Sequence, residues 1–388
     1  MKTKIFKTGF AFAMITAAAC LLWACDDKEP TSYGTPSLQK ITQIKDHTTS
    51  ISTGNMGDWI SIYGNNLESV KAISFNDVEV DMDEVYYENG ILYLQIPVKM
   101  PVDIDNKLKI TTEGGNISCD FQVFVPDLEL TGMFNEYTPP GDTIKIYGKF
   151  LDLYEIDSEN TKIVFGDIET PVISNNSTYL TAKVPLNVQS DVKVKAVNSK
   201  FDATAICPGW YQDKHNIITT FDDDYPYTHS SGQQFVGAWT DPKPTSGKYI
   251  RFEVDQTTYP YGLGWFYLME LSVNYPLEAL SHPERYSLKM ELNMMNPIQR
   301  TFFFVYVYWA VDPNAVGGEY FTVQSFGQWQ TVSIPLDKFV LRERWDTGPY
   351  PWDGVSTNWS LNFRVENYAP VERNAMYFDN LRIYKNGE

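Results

Sequence analysis

The sequence predicts an all-β protein in which two small antiparallel sandwiches in tandem precede one larger β-sandwich. Three observations carry that expectation. A segmented pattern near Gly57 returns near Gly141, each copy being short alternating stretches punctuated by Gly, Asn and Asp about ten residues apart. Tyr, Thr, Val and Pro are plentiful, and no long stretch has helical periodicity. After Gly209 the composition shifts to longer, aromatic-rich strands: KYIRFEV (248–254), SLKMELNM (287–294), TFFFVYVYW (301–309), QTVSIPL (330–336), SLNFRVEN (360–367) and MYFDNLRIY (376–384). At 388 residues the chain is too long for one ordinary core, and three modules accommodate it.

The N-terminus reads as a secretory signal over 1–24, with Lys2, Lys4 and Lys7 ahead of an apolar run from Gly9 to Ala24. Its end, Leu22-Trp23-Ala24-Cys25, resembles a bacterial lipobox, with Trp23 where a small or β-branched residue is usual. The resemblance implies that Cys25 becomes the acylated first residue, held at the membrane surface by several acyl chains. Asp26-Asp27-Lys28-Glu29 resembles the acidic signal that sends Bacteroidetes lipoproteins to the outside of the outer membrane; read without it, the stretch is a solvated linker. Residues 25–36 are polar with Pro and Gly, a flexible tether.

Removing the signal takes three of 31 basic residues and no acid, leaving 28 against 49 and a net charge near −21. Such a chain lacks the basic surface nucleic acid requires. Beyond Cys25 the mature chain has only Cys119 and Cys207, which excludes a disulfide framework and a metal-type cysteine spacing. Both fall in the last strand of their copy and read as free, buried thiols.

The repeat aligns GDWISIYGNNL (57–67) with GDTIKIYGKFL (141–151), identical at seven of eleven positions, and it continues through Ala72–Val78 against Lys162–Ile168 and ILYLQIPV against STYLTAKVPL. Alternate Ile and Tyr fall on opposite faces, and Gly64 and Gly148 are expected where the chain turns. The pattern resembles the IPT/TIG immunoglobulin-like domains over 37–126 and 127–208. Pro126 and Pro208, at the two junctions, are expected to stiffen the linkers, so that the repeats act as a rod-like spacer.

For the remainder, 209–388, period-2 reading sends Ile250, Phe252 and Val254 inward and leaves Tyr249, Arg251 and Glu253 on the other face. Val305, Val307 and Trp309 go inward by the same rule, with Tyr306 and Tyr308 outward. Leu361, Phe363 and Val365 likewise oppose Asn362, Arg364 and Glu366. Seven of the ten tryptophans lie between Trp239 and Trp359, and the loop at 340–357 sets Trp345, Tyr350 and Trp352 among Asp, Gly and Pro. Flat rings rimmed by polar groups suit stacking on the C–H faces of sugars. Each ring is equally readable as core, since Trp is usually mostly buried. Loop context and strand phase select Trp239, Trp265, Tyr306, Trp345, Trp352, Arg364 and Glu366 as the candidate binding set. Trp309 and Trp329 read as core.

An outer sheet face of Tyr, Arg, Glu and Asn beside aromatic loops resembles the β-jelly-roll carbohydrate-binding modules, as do Thr219–Asp223 and Phe378–Ile383 as first and last strands. Some such modules carry a structural calcium, which would make Asp222 and Asp379 candidate ligands; no other metal or cofactor is expected. Anchor, export stretch, two IPT/TIG-like units and jelly roll together resemble the Bacteroidetes surface glycan-binding proteins of polysaccharide utilization loci (SGBP-B, SusE-positioned). That resemblance implies non-catalytic capture of a β-glucan, xyloglucan or similar polysaccharide at the cell exterior. It also implies a TonB-dependent transporter and a SusD-like protein as partners. The alternatives are a jelly-roll hydrolase, which needs two carboxylates at about 5–5.5 Å or about 6.5–9.5 Å, or a lyase, and an adhesin that grips protein. No H-E-x-x-H, G-x-S-x-G or P-loop pattern occurs, and His47, His215, His229 and His282 sit in unrelated contexts.

Overall fold

The computed structural model describes residues 33–222, 227–228, 233–254, 264–274, 276–296, 301–308, 316–321, 323–340, 358–367 and 374–387. The chain divides into two units, one ending at Val125 and one beginning at Pro126. No helix among the described residues is long and apolar enough to cross a membrane.

The first unit is a sandwich of two four-stranded sheets. In one, Trp59–Asn65 lies between Ser37–Gln43 and Ile91–Gln95; in the other, Val70–Phe75 pairs with Lys107–Thr112. Alternation in these strands delivers Ile60, Ile62, Ile73, Phe75, Leu92, Leu94, Leu108 and Ile110 to a shared core. In the second unit the same pattern folds the same way. Thr143–Lys149 lies between Glu129–Met133 and Tyr179–Lys183, and the sheet continues through Ile168–Asn175, Thr161–Phe165, Val192–Asn198 and Ala203–Tyr211.

The repeated glycines have two different physical roles. Gly57 and Gly141 make the left-handed turns, with φ of 84° and 86°. Gly64 and Gly148 instead lie within their strands, opposite a bulge in the neighbour, between Leu38 and Lys40 in one copy and Leu130 and Gly132 in the other. A Cβ there would stand 2.2 Å from the Ser37 carbonyl oxygen or 2.7 Å from that of Glu129. The turn expected at these two positions is therefore a close backbone approach inside the sheet.

Pro208 falls at a bulge within Ala203–Tyr211, which pairs with Val192–Asn198 and carries the chain straight into the larger sandwich. There one sheet has the order Gln233–Gly237, Tyr249–Val254, Asn374–Lys385, Tyr286–Met294, Gln330–Pro335, with Ile217–Thr219 also paired to 374–385. The other has the order Tyr227–Thr228, Gly264–Asn274, Asn358–Asn367, Thr301–Tyr308, Val316–Phe321. The sheets meet over an aromatic centre in which Phe378 packs edge-on against both Phe252 and Phe363, with ring centroids 5.6 Å apart in each pair.

All nine residues of Tyr286–Met294 are buried, although Lys289, Glu291 and Asn293 alternate with the apolar residues. The core covers one side of this strand, and the preceding immunoglobulin-like module covers the other. Cys119 and Cys207 are both free, but only Cys207 is fully buried, where burial pushes its thiol up to about 12. Cys119 lies on the outer strand Gly115–Asp120 and is half-buried, a correction to the expectation for it.

Candidate functional site

The register of the five-stranded sheet sorts its residues into two faces. Phe363 is buried at 1% exposure and lies opposite Met269 on one side and Val305 on the other, which marks the core face. The alternate positions form the opposite face. There Glu366 is flanked by Trp265 and Phe302, Arg364 by Tyr267 and Phe304, and Asn362 by Glu270 and Tyr306. Asn274 on this face is exposed. Four of the predicted residues, Trp265, Tyr306, Arg364 and Glu366, thus occupy neighbouring positions on one sheet face. The face also gathers Tyr267, Glu270, Phe302 and Phe304, which loop context had not selected; the alternation of TFFFVYVY alone marks Phe302 and Phe304 as partners of Tyr306.

Trp345 and Trp352 lie outside the described residues, as do Trp309 and Cys25. Trp239 is on the other sheet's flank. It is half-buried against Tyr249, ring centroids 5.0 Å apart, beside Trp329 and Tyr377. Tyr249 has no exposed surface and donates its hydroxyl to the Pro242 carbonyl at 2.9 Å. Strand phase gave Tyr249 the correct face, but that face is covered by aromatic rings and not open to solvent. Gly237 makes room for the Trp239 ring, which a Cβ would meet at 3.1 Å.

The covered face holds a cluster of charges. Arg382, fully buried, meets Glu291 at 3.2 Å, the Asp213 carboxylate at 3.6 Å, and Glu136, which arrives from the immunoglobulin-like module. Lys289 donates to Glu136 at 2.6 Å and lies 3.6 Å over the Tyr384 ring. Thr331 stitches the modules together twice: its hydroxyl accepts from the Glu136 amide at 2.7 Å and donates to Glu291 at 2.9 Å, while its own amide donates to the Phe134 carbonyl at 2.8 Å. Gly209 leaves the space Glu136 occupies, since a Cβ would sit 2.4 Å from Glu136 Oε1. Burial pushes the Glu291 carboxyl up to about 7, with Glu136 adding to the shift and Arg382 opposing it.

Asp379 is buried, and its carboxyl is raised well above the usual range by burial. Its oxygens are taken by the hydroxyls of Thr245 and Ser246 and by the Asn380 amide. Asp222 holds the Lys248 amide, while Lys248 Nζ donates to the Asp222 carbonyl. Hydroxyl and amide donors of the protein occupy these two carboxylates, so the arrangement does not fit a calcium shell, and through Thr245 and Ser246 it clamps the segment before Tyr249–Val254 to the last strand. Asp191, Asp213 and His215 also lie close together, but Asp213 Oδ2 faces Arg382, and His215 fills Oδ1 at 2.9 Å.

Residues 211–385 match the family model described as surface glycan-binding protein B xyloglucan binding domain, and residues 129–212 match that of the IPT/TIG domain. The larger sandwich is therefore a glycan-binding domain of the surface glycan-binding protein B class, carried on an IPT/TIG domain. Among solved structures, surface glycan-binding protein B of Prevotella bryantii aligns over 92% of this chain and 100% of its own at 16% identity, with a TM-score of 0.61, which shows a common fold. The SGBP-B of a Bacteroides uniformis xyloglucan utilization locus aligns over 90% and 99% at 17% identity, TM-score 0.48. A family 11 carbohydrate-binding module of Clostridium thermocellum aligns over 45% and 96% at 13% identity, TM-score 0.30. No curated protein matches the chain.

Proposed function

We propose that the chain is a surface-exposed lipoprotein that captures xyloglucan, or a β-glucan of related backbone, without cleaving it, on the outer face of the five-stranded sheet. The observation that carries this reading is the register that lines up Trp265, Tyr306, Arg364 and Glu366 with Tyr267, Phe302 and Phe304. Rings on one sheet face offer stacking platforms along an extended glucan, and guanidinium, carboxylate and amide groups between them bond its hydroxyls. The family model's xyloglucan description supports the choice of ligand. Trp345 and Trp352 stand in our reading as loop rings beside that face, and Trp239 as a more distant one. A transporter and a SusD-like protein would receive the captured glycan.

The test is retardation in native gels containing xyloglucan, mixed-linkage β-glucan, xylan or mannan. Trp265→Ala and Arg364→Ala should each abolish or sharply reduce retardation while the melting temperature holds. A stacking ring contributes ~1–3 kcal/mol, by analogy with base stacking, so affinity should fall about tenfold or more per ring. Unchanged retardation of both variants would move the site elsewhere, and an unretarded parent chain in all four gels would favour a protein-gripping adhesin. New reducing ends in the same polysaccharides would mark an enzyme. For the anchor, Cys25→Ala should release the protein from membranes; continued membrane fractionation and surface labelling would refute lipidation at Cys25.

A further inference from the structure

We infer that the second unit has a second saccharide site, separate from the sheet face, in the cleft where the IPT/TIG domain meets the larger sandwich. The cleft has a volume of about 500 Å³, within the range of small-ligand sites. One wall comes from the immunoglobulin-like module, with Phe134, Asp142 and Lys145; the other comes from the glycan-binding domain, with Lys243, Asn293 and Trp329. Because the buried charge cluster locks these modules together, the two walls face each other at a set distance.

Three features define what the cleft accepts. Trp329 is half-buried and its indole N–H is already donated to the Lys243 carbonyl at 2.8 Å, while Tyr249 meets the ring edge-on at 5.3 Å. What the ring has left to offer is a braced apolar surface. Asn293 is 1% exposed, yet its side-chain oxygen accepts no hydrogen bond from any described residue. A buried acceptor in that state favours a ligand that brings a hydroxyl or N–H. The charges nearby are balanced: Lys243 pairs with Asp142 at 3.0 Å across the module boundary, and Lys145 lies over the Phe134 and Tyr179 rings at 5.2 and 4.7 Å. Neither a phosphate nor a metal cation gains from such a lining. A braced ring, an orphan acceptor and neutral polarity select a neutral, hydroxyl-rich ligand with an apolar face, which is the chemistry of one or two sugar residues.

Glycan held here as well as on the sheet would contact both modules, giving the IPT/TIG domain a part in binding beyond spacing. The experiment is fluorine NMR of the full chain labelled with 5-fluorotryptophan, in which Trp329→Phe and Trp265→Phe variants assign the two resonances. Cellotetraose and a xyloglucan heptasaccharide are the probes. The Trp329 resonance should shift saturably with at least one of them, and the shift should disappear in Thr143→Tyr, which narrows the cleft from an exposed strand position of the IPT/TIG domain. A Trp329 resonance that stays fixed while Trp265 moves overturns the second site and leaves the sheet face standing. A Trp329 shift that survives Thr143→Tyr also overturns it, as an indirect effect. Movement of Trp329 without Trp265 supports the cleft and counts against the sheet face. If neither resonance moves, both readings fall.

Discussion

Arg382 has no accessible surface, yet its guanidinium faces carboxylates from Glu136, Glu291 and Asp213. With Asp379 nearby and Lys289 as the other cation, four acids share two permanent cations in a largely buried space. Such a cluster retains protons, and the raised carboxyls of Glu291 and Asp379 express this. The sign follows from the Glu291 shift. Its folded pKa of about 7 lies above its ordinary 4.5, so the folded state binds more protons between those values, and stability is lost as pH rises through that window. The melting temperature of the full chain should therefore decline between about pH 5 and pH 7, reflecting at most on the order of 3 kcal/mol. Glu291→Gln should flatten that segment of the profile; a parent profile already flat there would mean Glu291 stays charged in the fold. The residue pattern alone could not show this, because Glu136 and Arg382 are 246 positions apart.

At the scale of elements, alternation located the strands well and their environments less well. In Tyr286–Met294 and Asn374–Lys385 it separates Leu288, Met290, Leu292, Met376 and Phe378 from polar partners, and those apolar residues are indeed core. It cannot say whether the polar face meets solvent or another module, since both present the same period of two. Tyr249 illustrates this: its face was legible and its burial was not, because the rings that cover it come from the loop residue Trp239 and from Trp329 and Tyr377, the latter two remote in sequence. The five-stranded sheet is the favourable case. Phase along single strands put Tyr306, Arg364 and Glu366 on one side, and pairing then aligned them with Trp265 and revealed Tyr267 and Phe304 between. Gly64 and Gly148 show the same limit in the backbone, where a repeated glycine signals need for space without saying whether a turn or a neighbouring strand requires it.

For the whole molecule, the consequence is that the second repeat is not a detachable spacer. Cutting at Gly209 would split the strand Ala203–Tyr211, remove Glu136 and leave Arg382, Lys289 and Glu291 uncovered. Loss of one partner from a buried ionic cluster costs ~3–5 kcal/mol. A chain of 209–388 should thus melt well below the full protein or aggregate, whereas one beginning at Pro126 should retain the melting transition of this unit and its glycan affinity. Thermal melts and native gels on the two truncations decide the matter. Equal stability and affinity for 209–388 would show that the interface contributes little and that the larger sandwich stands alone.

The sequence by itself determined the all-β class, the duplication, the strand positions and the outward phase of Tyr306, Arg364 and Glu366, because hydrophobic period and local turn chemistry are written residue by residue. Only the tertiary structure decided that Trp239 packs on Tyr249, that Cys119 is half-buried, and that Glu136 enters the glycan-binding domain to meet Arg382. Those outcomes depend on how loops fold back and which surfaces meet in space, and a polar residue carries no local mark that distinguishes a partner in another module from water.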